Sequence, residues 1–485
     1  MRMDGRAAFG SAARADGGTS IATGAALVAI VAIAAYTRFH GLGDASIWRD
    51  EASTWAQAQG SLWHVIAVTA GDNYPPLHNL LVALSMRLFG DGEWALRLPS
   101  AVCGVLAVPA LYWVGRMASG RLAGLLAALL LSLSYFHIWY SQEARTYALL
   151  ALAAILFAGC ALWFMQAATW PRVVAAFAAG VALLYSHPYG TFTWLAIGGA
   201  TLITLLARTH VERAHALAWL LLQVVIALAF SPWAWLLGSR AHKIATTGFW
   251  IPFPTPNYVV QTLVVLGSGF LCLLLTLLAA GAVFVAPAAM ERDAPPPVTG
   301  PPLRIGGPAA AWFVLIWLVG PLLMALAASL LVQPIIVSYY LIGSLPALLV
   351  LAGMGLARFA RGRVTTAVVF AVALGISALG LALGLPGAVE NWRAAAAFVA
   401  QNLPPDGCVL VAEDISQYAL EYYDRQHPCI IRPADVAETK ASVLFVVLVG
   451  DQSSLASTLA SPAWRAGPPV RFRQLTVQPL QRVGG

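Results

Sequence analysis

Two adjacent carboxylates, Asp50 and Glu51, follow the first long apolar stretch of the chain, in the sequence Trp48-Arg49-Asp50-Glu51. They stand at the start of a helix predicted over 51–65, where the positive end of the helix dipole would stabilise their charge. A carboxylate in such a position can act as a general base that takes the proton of an acceptor hydroxyl. The structural alternative is a helix cap, in which Asp50 accepts backbone N–H groups.

Two histidines are a second kind of candidate. His78 lies in NYPPLHNLL (73–81), next to an amphipathic helix predicted over 77–88 that could lie in the membrane interface, and His187 lies in LLYSHPYG (183–190). Either imidazole could hold a metal ion or contact a substrate oxygen, although a lone histidine is more often simply hydrogen-bonded. A divalent metal ion stays open as a cofactor, but no HxxxH or CxxC spacing supports one.

Basic residues that could bind a phosphate are the third group. Arg145 lies in the sequence YSQEARTY, two residues after Glu143. A guanidinium matches the geometry of a phosphate and can bind it through two hydrogen bonds. The structural alternative is an ion pair of Arg145 with Glu143 or with Glu93. Arg240 and Lys243, which follow the seventh apolar stretch, either receive a lipid phosphate or contact lipid headgroups.

The composition indicates which elements must position these residues. Of the 485 residues, 60% are hydrophobic and 10% are charged, whereas a soluble domain carries roughly 25% charged residues. Eleven apolar stretches can be placed at 20–37, 95–115, 122–137, 147–166, 173–187, 191–207, 215–237, 258–287, 309–332, 335–356 and 364–386. The predicted fold class is a polytopic α-helical membrane protein with about eleven transmembrane helices.

The basic residues indicate how the chain is oriented. The formal net charge is +7, but the arginines punctuate the apolar stretches and do not cluster on one face, which argues against a nucleic-acid partner. With the N-terminus in the cytoplasm, the short outer connections hold Arg145, Arg240 and Lys243, and the inner segments hold most of the arginines, as the positive-inside rule requires. The first loop, 38–94, and the segment 388–485 then lie outside the membrane.

The C-terminal segment has the composition of a soluble domain. Helices predicted over 391–401 and 415–425 alternate with predicted strands, and 442–449 (SVLFVVLV) is typical of a buried strand. We therefore divide the chain into a membrane domain, 1–387, and a small extracytoplasmic α/β domain, 388–485.

The five cysteines fall into two groups. Cys408 and Cys429 lie near two neighbouring predicted strands, so a disulfide is possible in an oxidising compartment. Two small buried side chains are an equally good interpretation of this pair. Cys103, Cys160 and Cys272 lie inside apolar stretches, where packing is their predicted role.

Seven motifs, taken in order, resemble those of a known class of enzymes. They are WRDEAST (48–54), NYPPLHNLL (73–81), GEWALRLPSAVCG (92–104), YSQEARTY (140–147), LLYSHPYG (183–190), SYYLIGSLPALL (338–349) and NWRAAAAFVAQNLPPDGCVLV (391–411). Each motif is loose by itself, but their order and their placement along the apolar stretches are specific. The chain resembles the bacterial membrane glycosyltransferases of the GT-C class, related to the protein O-mannosyltransferases of glycosyltransferase family 39 and the aminoarabinose transferases.

The resemblance implies a GT-C-like bundle and a polyprenyl-phosphate monosaccharide as the sugar donor. Transfer would take place on the outer face of the inner (plasma) membrane, with inversion at the anomeric carbon. The acceptor would be an envelope glycan, lipid or protein. In such enzymes the Asp-Glu pair of the first outer loop is catalytic. Carried over to this chain, Asp50 becomes the general base, and Glu51 becomes its neighbour that orients the acceptor or a metal ion.

The resemblance also implies which residues surround the donor phosphate. They are Arg97, Glu143, Arg145, Tyr147, Arg240, Lys243 and Tyr339, with His78 and His187 as candidates for the acceptor or for a metal ion. Relatives often have an arginine followed by a tyrosine where this chain has Ser338-Tyr339. The missing positive charge would then have to come from Arg145, Arg240 or Lys243.

Two other functions are weighed against this one. A transporter or flippase for a lipid-linked sugar should show repeat symmetry with paired broken helices at the midplane, whereas the polar residues of this chain concentrate at one face. A non-catalytic scaffold that works through its C-terminal domain would not need an intact Asp-Glu pair. Both features favour the enzyme.

Overall fold

The computed structural model describes residues 5–207, 213–247, 251–285, 307–383, 390–425, 429–449 and 461–483. Helices follow all eleven apolar stretches. They are α1 (Gly5–Phe39), α5 (Glu93–Ser119), α6 (Arg121–Ser132) with α7 (Tyr135–Ser141), α8 (Tyr147–Phe164), α9 (Trp170–Ser186), α10 (Gly190–Leu206), α11 (Arg213–Thr247), α12 (Pro256–Leu266) with α13 (Phe270–Val285), α14 (Pro308–Leu331), a 3₁₀ helix (Ser338–Gly343) with α15 (Leu345–Ala357), and α16 (Arg363–Leu383).

The helix lengths confirm the predicted fold class, while the number of spans stays a prediction. Among the described residues, six single helices are long and apolar enough to cross a membrane, namely parts or all of α1, α5, α8, α11, α14 and α16. The pairs α6–α7 and α12–α13 pass the same test only together, and they are bent by 61° and 80°. The helices α9, α10 and α15 have 17, 17 and 13 residues, fewer than the roughly 20 that a straight crossing needs.

Helix α8 lies at the centre of the bundle and is buried on nearly all sides. Its neighbours approach closely where small residues remove the steric barrier, as is usual between membrane helices. A Cβ on Gly159 would lie 2.1 Å from the ring of Trp113, and one on Gly355 of α15 would lie 1.8 Å from the carbonyl oxygen of Ala279. These contacts fix the bundle on which the first outer loop rests.

The first loop folds into three short helices, α2 (Arg49–Gln57), α3 (Leu62–Thr69) and α4 (Leu77–Phe89). The helix predicted over 51–65 is therefore wrong as a single element. The chain turns between α2 and α3 because Gly60 adopts a φ of 75° and the Ser61 side chain caps α3 by accepting the N–H of His64. The predicted amphipathic helix agrees with α4.

The C-terminal segment contains α17 (Trp392–Asn402), α18 (Asp414–Tyr423) and a small mixed sheet. Its strands are β1 (Cys408–Val411), β2 (Cys429–Ile431), β3 (Val443–Val449), β4 (Trp464–Ala466), β5 (Val470–Phe472) and β6 (Leu475–Arg482). The order is β2-β1-β3-β6-β4, and β5 also pairs with β6. Strand β1 runs parallel to β2 and β3, while β6 is antiparallel to β3. The predicted α/β character is confirmed.

This segment packs directly on the first loop through a shared apolar cluster and several ion pairs. Arg49 at the start of α2 contacts Glu390 at 2.9 Å and Glu413 at 2.6 Å. Arg393 contacts Glu93 at 2.7 Å, and the phenol of Tyr423 accepts the backbone N–H of Ile47 at 2.8 Å. The N-terminus of α2, which carries the Asp-Glu pair, is therefore held from outside by the C-terminal segment.

Cys408 and Cys429 form a disulfide. They stand opposite each other in the parallel pair β1–β2, which decides the alternative that the sequence left open. Cys103, Cys160 and Cys272 are free and buried, in agreement with their predicted packing role.

Replacing both bonded cysteines by alanine is expected to destabilise the C-terminal segment by about 3 kcal/mol, because a crosslink over 21 residues restricts the unfolded chain. Thermal unfolding and protease sensitivity of the segment would measure this. C272A is the control, since Cys272 has no disulfide to lose. An unchanged Tm in the double variant would contradict the expectation.

Candidate functional site

The polar residues of the first loop meet the loop 142–146, between α7 and α8, at one end of the bundle. Glu51 of α2 and Arg97 of α5 form its most deeply buried ion pair. The guanidinium donates from Nε to Oε1 at 2.8 Å and from Nη2 to Oε2 at 2.7 Å, and the two side chains are 1% and 4% exposed. The backbone N–H of Ala144 donates to Oε1 at 2.7 Å. Glu51 therefore joins three segments that are distant in sequence.

The remaining donors of Arg97 are also occupied. They bind the carbonyl oxygens of Leu42, Ala45 and Ser46 at 2.9–3.2 Å. A guanidinium has five N–H donors, and the bonds of Arg97 account for all five. Arg97 therefore has no N–H donor left for a phosphate in this arrangement, and its predicted phosphate contact would require one of these bonds to break. Glu51 also caps α2 by accepting the N–H of Trp48 at 3.4 Å. Its contacts in the structure are structural, and its role in orienting an acceptor or a metal ion stays a prediction.

Asp50 differs from Glu51 because its carboxylate is 31% exposed. The capping function belongs to Glu51, so the structural alternative for Asp50 does not hold. The partner of Asp50 among the described residues is Arg145, with Nη2 at 3.7 Å from Oδ2. At this distance the carboxylate keeps lone pairs that can accept a proton from an incoming hydroxyl.

Arg145 supplies the positive charge of the site. Its side chain is 11% exposed, and it donates from Nη1 to the carbonyl oxygen of Asp50 at 3.2 Å. The guanidinium carbon lies 5.0 Å from the ring centroid of Tyr74 and 5.8 Å from that of Tyr147. Burial opposes the charge, but Tyr147, Asp50 and Tyr74 outweigh it and raise the pKa of Arg145 well above its usual value. The guanidinium is therefore permanently charged and held by aromatic faces.

Glu143 does not pair with Arg145, as one alternative from the sequence had it, and Glu93 pairs with Arg393 instead. The Oε2 atom of Glu143 is buried and has no hydrogen-bond partner within the described ranges. Burial, together with the neighbouring Glu51, raises the pKa of Glu143 to about 8. Glu143 thus differs from the two carboxylates of α2, Asp50 and Glu51, each of which forms an ion pair with an arginine.

Tyrosine rings enclose Arg145 on the side of the bundle. Tyr147 at the start of α8 packs on Tyr339, with ring centroids 4.9 Å apart. Tyr74 and Tyr340 join their hydroxyl groups at 2.7 Å. Both predicted tyrosines thus reach the site, and Tyr74 and Tyr340 are two members that sequence reasoning missed, although both stand inside the quoted motifs. Aromatic faces of this kind can pack against the C–H face of a sugar ring.

The chain is similar to known membrane glycosyltransferases in sequence over part of its length and in fold over nearly all of it. A family model described as dolichyl-phosphate-mannose-protein mannosyltransferase matches residues 73–235. The fold is similar to that of ArnT from Cupriavidus metallidurans in the apo state, with a TM-score of 0.63 and 18% identity, over 95% of this chain and 98% of that one. For ArnT bound to undecaprenyl phosphate the TM-score is 0.60 at 17% identity, over 93% and 97% of the two chains. The chain has the fold of the GT-C membrane glycosyltransferases.

Two more distant matches agree with the GT-C assignment. The oligosaccharyltransferase AglB from Archaeoglobus fulgidus, in complex with an inhibitory peptide and a dolichol-phosphate, has a TM-score of 0.56 at 12% identity, over 88% of this chain and 69% of that one. The arabinofuranosyltransferase AftD from Mycobacteria has a TM-score of 0.51 at 16% identity, over 96% and 40%. Curated protein sequences give no significant match. The resemblance to the GT-C class is confirmed at the level of the fold.

His78 and His187 are buried and support neighbouring segments. The Nε2 atom of His78 lies 3.1 Å from the hydroxyl of Ser100, which donates to the carbonyl oxygen of Arg145 at 3.0 Å. Through Ser100, His78 thereby helps to hold the loop that carries Arg145. The Nδ1 atom of His187 accepts the N–H of Tyr189 at 3.0 Å, so in neutral His187 the proton resides on Nε2.

A divalent metal ion finds little support in this arrangement. No group of three or more histidine, cysteine, aspartate or glutamate side chains is placed to hold one within the part of the chain that the structure describes. His78 and His187 both use a ring nitrogen within the protein. The donor side chains in these described segments do not fit a resident metal.

Arg240 and Lys243 lie near the end of α11. Arg240 donates to the carbonyl oxygen of Ala70, at the end of α3, which ties α11 to the first loop. The side chain of Lys243 lies outside the described residues. Among the residues whose side chains are described, Arg145 is the cation best placed to receive a phosphate.

Proposed function

We propose that this chain transfers a monosaccharide from a polyprenyl-phosphate donor to an envelope glycan, lipid or protein, with inversion at the anomeric carbon. The observation that carries the proposal is the pairing of an accessible carboxylate, Asp50, with a permanently charged arginine, Arg145, on a GT-C fold. Asp50 takes the proton of the acceptor hydroxyl. The hydroxyl oxygen then bonds to the anomeric carbon while the bond from that carbon to the phosphate breaks on the opposite face.

Arg145 is the electrostatic element of this reaction. As the phosphate departs it gains negative charge, and a positioned guanidinium stabilises that charge most strongly in a site shielded from water. The neighbouring Tyr74 and Tyr147 hold the guanidinium in place and reduce its exposure. The ArnT structure with undecaprenyl phosphate supports a lipid phosphate as the group that arrives here.

A small cavity between the two bent helix pairs marks where the first part of the isoprenoid tail would enter the bundle. Its lining is largely apolar, with Leu133 and Tyr135 from the bend of α6–α7, Leu266 from α12, Leu348 from α15 and Ile376 from α16. Tyr135 starts α7, and Tyr140 near the end of the same helix contacts Tyr339 with ring centroids 5.6 Å apart. A tail in this cavity would therefore emerge beside the aromatic side of the site.

We place the enzyme in the inner (plasma) membrane with its N-terminus in the cytoplasm. The positive-inside distribution of the arginines supports this orientation. It puts the site, the first loop and the C-terminal α/β segment on the extracytoplasmic side, where a polyprenyl-linked sugar and envelope acceptors meet. A cysteine accessibility assay on intact cells, with single cysteines placed at the exposed positions Asn402 and Arg361, would report the two sides separately.

The direct test of function is sugar transfer by the purified protein from a panel of radiolabelled polyprenyl-phosphate monosaccharides to cell-envelope acceptors. Transfer of a sugar that depends on both Asp50 and Arg145 would support the proposal. Movement of the lipid across the bilayer without transfer of any sugar would overturn it in favour of a transporter.

Within that assay, R145A is expected to lower kcat by about 10²–10³-fold, the usual cost of removing one stabilising donor from a reacting oxyanion. R145K should recover part of the loss because it keeps the charge without the planar, aromatic-stacked group. R425A is the matched control, since Arg425 is an arginine on the same side of the protein with a side chain 54% exposed. Full activity of R145A would remove Arg145 from the mechanism.

A further inference from the structure

The site holds three carboxyl groups but only two arginines. Glu51 pairs with Arg97 and Asp50 pairs with Arg145. Arg49, which directly precedes Asp50 in the sequence, forms ion pairs with Glu390 and Glu413. In the structure as described, Glu143 therefore has no cationic side chain of its own.

The surroundings of Glu143 come from four elements. Glu51 and Asp50 face it from α2, Arg97 from α5, Tyr140 and Trp139 from α7, and Tyr339 from the 3₁₀ helix, while Arg145 lies in its own loop. Burial and the charges of Glu51 and Asp50 raise the pKa of Glu143, and they outweigh Arg145 and a hydrogen bond from Trp139, which lower it. The Oε2 atom of Glu143 is buried without a hydrogen-bond partner among the described residues. An ionised carboxylate in that position would be costly.

Glu143 and Arg145 project from one tight turn, in which the N–H of Arg145 donates to the carbonyl oxygen of Glu143 at 2.8 Å. A group bound by Arg145 therefore arrives within the neighbourhood of Glu143. With all three carboxyl groups ionised, the cluster of Asp50, Glu51, Glu143, Arg97 and Arg145 would carry a charge of −1 (three negative and two positive charges). With Glu143 protonated, the same cluster is neutral.

We propose that Glu143 keeps its proton at neutral pH and donates it in a hydrogen bond to the phosphate of the sugar donor. The proposal rests on the proposed function, and it gives Glu143 a role distinct from that of the proton-accepting Asp50. An ionised carboxylate could only accept hydrogen bonds and would repel a phosphodiester, whereas a carboxylic acid has an O–H donor for one of its oxygens. The proton stays on Glu143 during binding, so no oxidant or co-reactant is needed.

The sign of the pH dependence follows from the raised pKa. Glu143 is protonated below its pKa of about 8 and loses the proton above it. Donor affinity should therefore be full at neutral pH and fall as the pH rises through that value. A phosphodiester keeps a single negative charge over this pH range, so a change in donor affinity must come from the protein.

The first experiment reads the proton without any ligand. Infrared difference spectra of the full-length protein, wild type minus E143Q, are expected to show a protonated carboxyl band near neutral pH that disappears in alkaline buffer. The absence of that band at neutral pH would overturn the proposal, whatever the fate of the proposed function. Normal elution of E143Q in size-exclusion chromatography establishes that it folds.

The second experiment uses undecaprenyl phosphate mannose, a phosphodiester, as the probe. Wild-type affinity should fall about tenfold between pH 7 and pH 9, as one lost proton predicts, and E143Q, whose amide also donates, should bind with the same affinity at both pH values. E413Q is the matched control and should keep the pH dependence, because the Glu413 side chain is 46% exposed. A pH dependence that survives in E143Q would also overturn the proposal. Failure of every variant to bind would count against the proposed donor, while the infrared result would still decide the proton.

Discussion

D50N is expected to reduce sugar transfer by about 10³-fold or more while the donor still binds. A positioned general base contributes typically 10²–10⁴-fold, and the amide of asparagine cannot take the proton of the acceptor hydroxyl. Donor affinity should stay the same or rise, because the substitution removes a carboxylate 3.7 Å from Arg145 and frees that guanidinium for the phosphate. The combination of lost kcat with retained donor binding is specific to a base.

The matched control for this variant is D44N. Asp44 lies in the same loop and is exposed, and the same loss of charge there should leave kcat unchanged. Single-turnover transfer and equilibrium binding of a radiolabelled donor measure the two quantities separately. Transfer by D50N at the wild-type rate would remove Asp50 from the mechanism and, with it, the main support for an inverting enzyme at this site.

The second large effect is expected from the buried pair Glu51–Arg97. Breaking it in E51A or R97A should lower the free energy of unfolding by about 3–5 kcal/mol, because either change leaves a buried charge without its partner. Activity should fall with it, since Glu51 also holds the N–H of Ala144, next to Glu143 and Arg145. Thermal unfolding in detergent and proteolysis of the first loop would report the loss.

A double variant and an exposed pair sharpen this prediction. The double variant E51L/R97M should cost less than the sum of the single changes, because it leaves neither charge unpaired. D91N breaks the ion pair between Asp91 and Arg425, whose side chains are 42% and 54% exposed. This change should alter the free energy of unfolding by less than about 1 kcal/mol. Equal losses in D91N and E51A would contradict the assignment of Glu51 as the structural member of the Asp-Glu pair.

Much of the architecture was accessible from local patterns. Apolar stretches predict helices because backbone groups in a membrane must bond within their own segment, and every one of the eleven stretches is helical among the described residues. The run of β-branched residues 442–449 likewise contains β3. The motifs around Asp50 and Arg145 marked the site, since charged residues are rare enough beside apolar helices to stand out.

Other features depended on where distant segments meet. The local sequence does not show which of Asp50 and Glu51 is buried, because neighbouring carboxylates have the same local chemistry. The packing of α2 turns Glu51 towards Arg97, 46 residues away, and leaves Asp50 to Arg145, 95 residues away. Which of the two is buried follows from helix geometry, since consecutive side chains on a helix point about 100° apart.

The tyrosine contacts and the disulfide also depend on where separate segments meet. Tyr74 and Tyr340 lie 266 residues apart in sequence, and only the approach of the 3₁₀ helix to the first loop joins their hydroxyl groups. The sequence alone determined the helical membrane fold and the neighbourhood of the site, because hydrophobicity and charge act locally. The tertiary structure decided which carboxyl is paired, which is exposed and which keeps a proton, because these properties depend on burial and on charges from other segments.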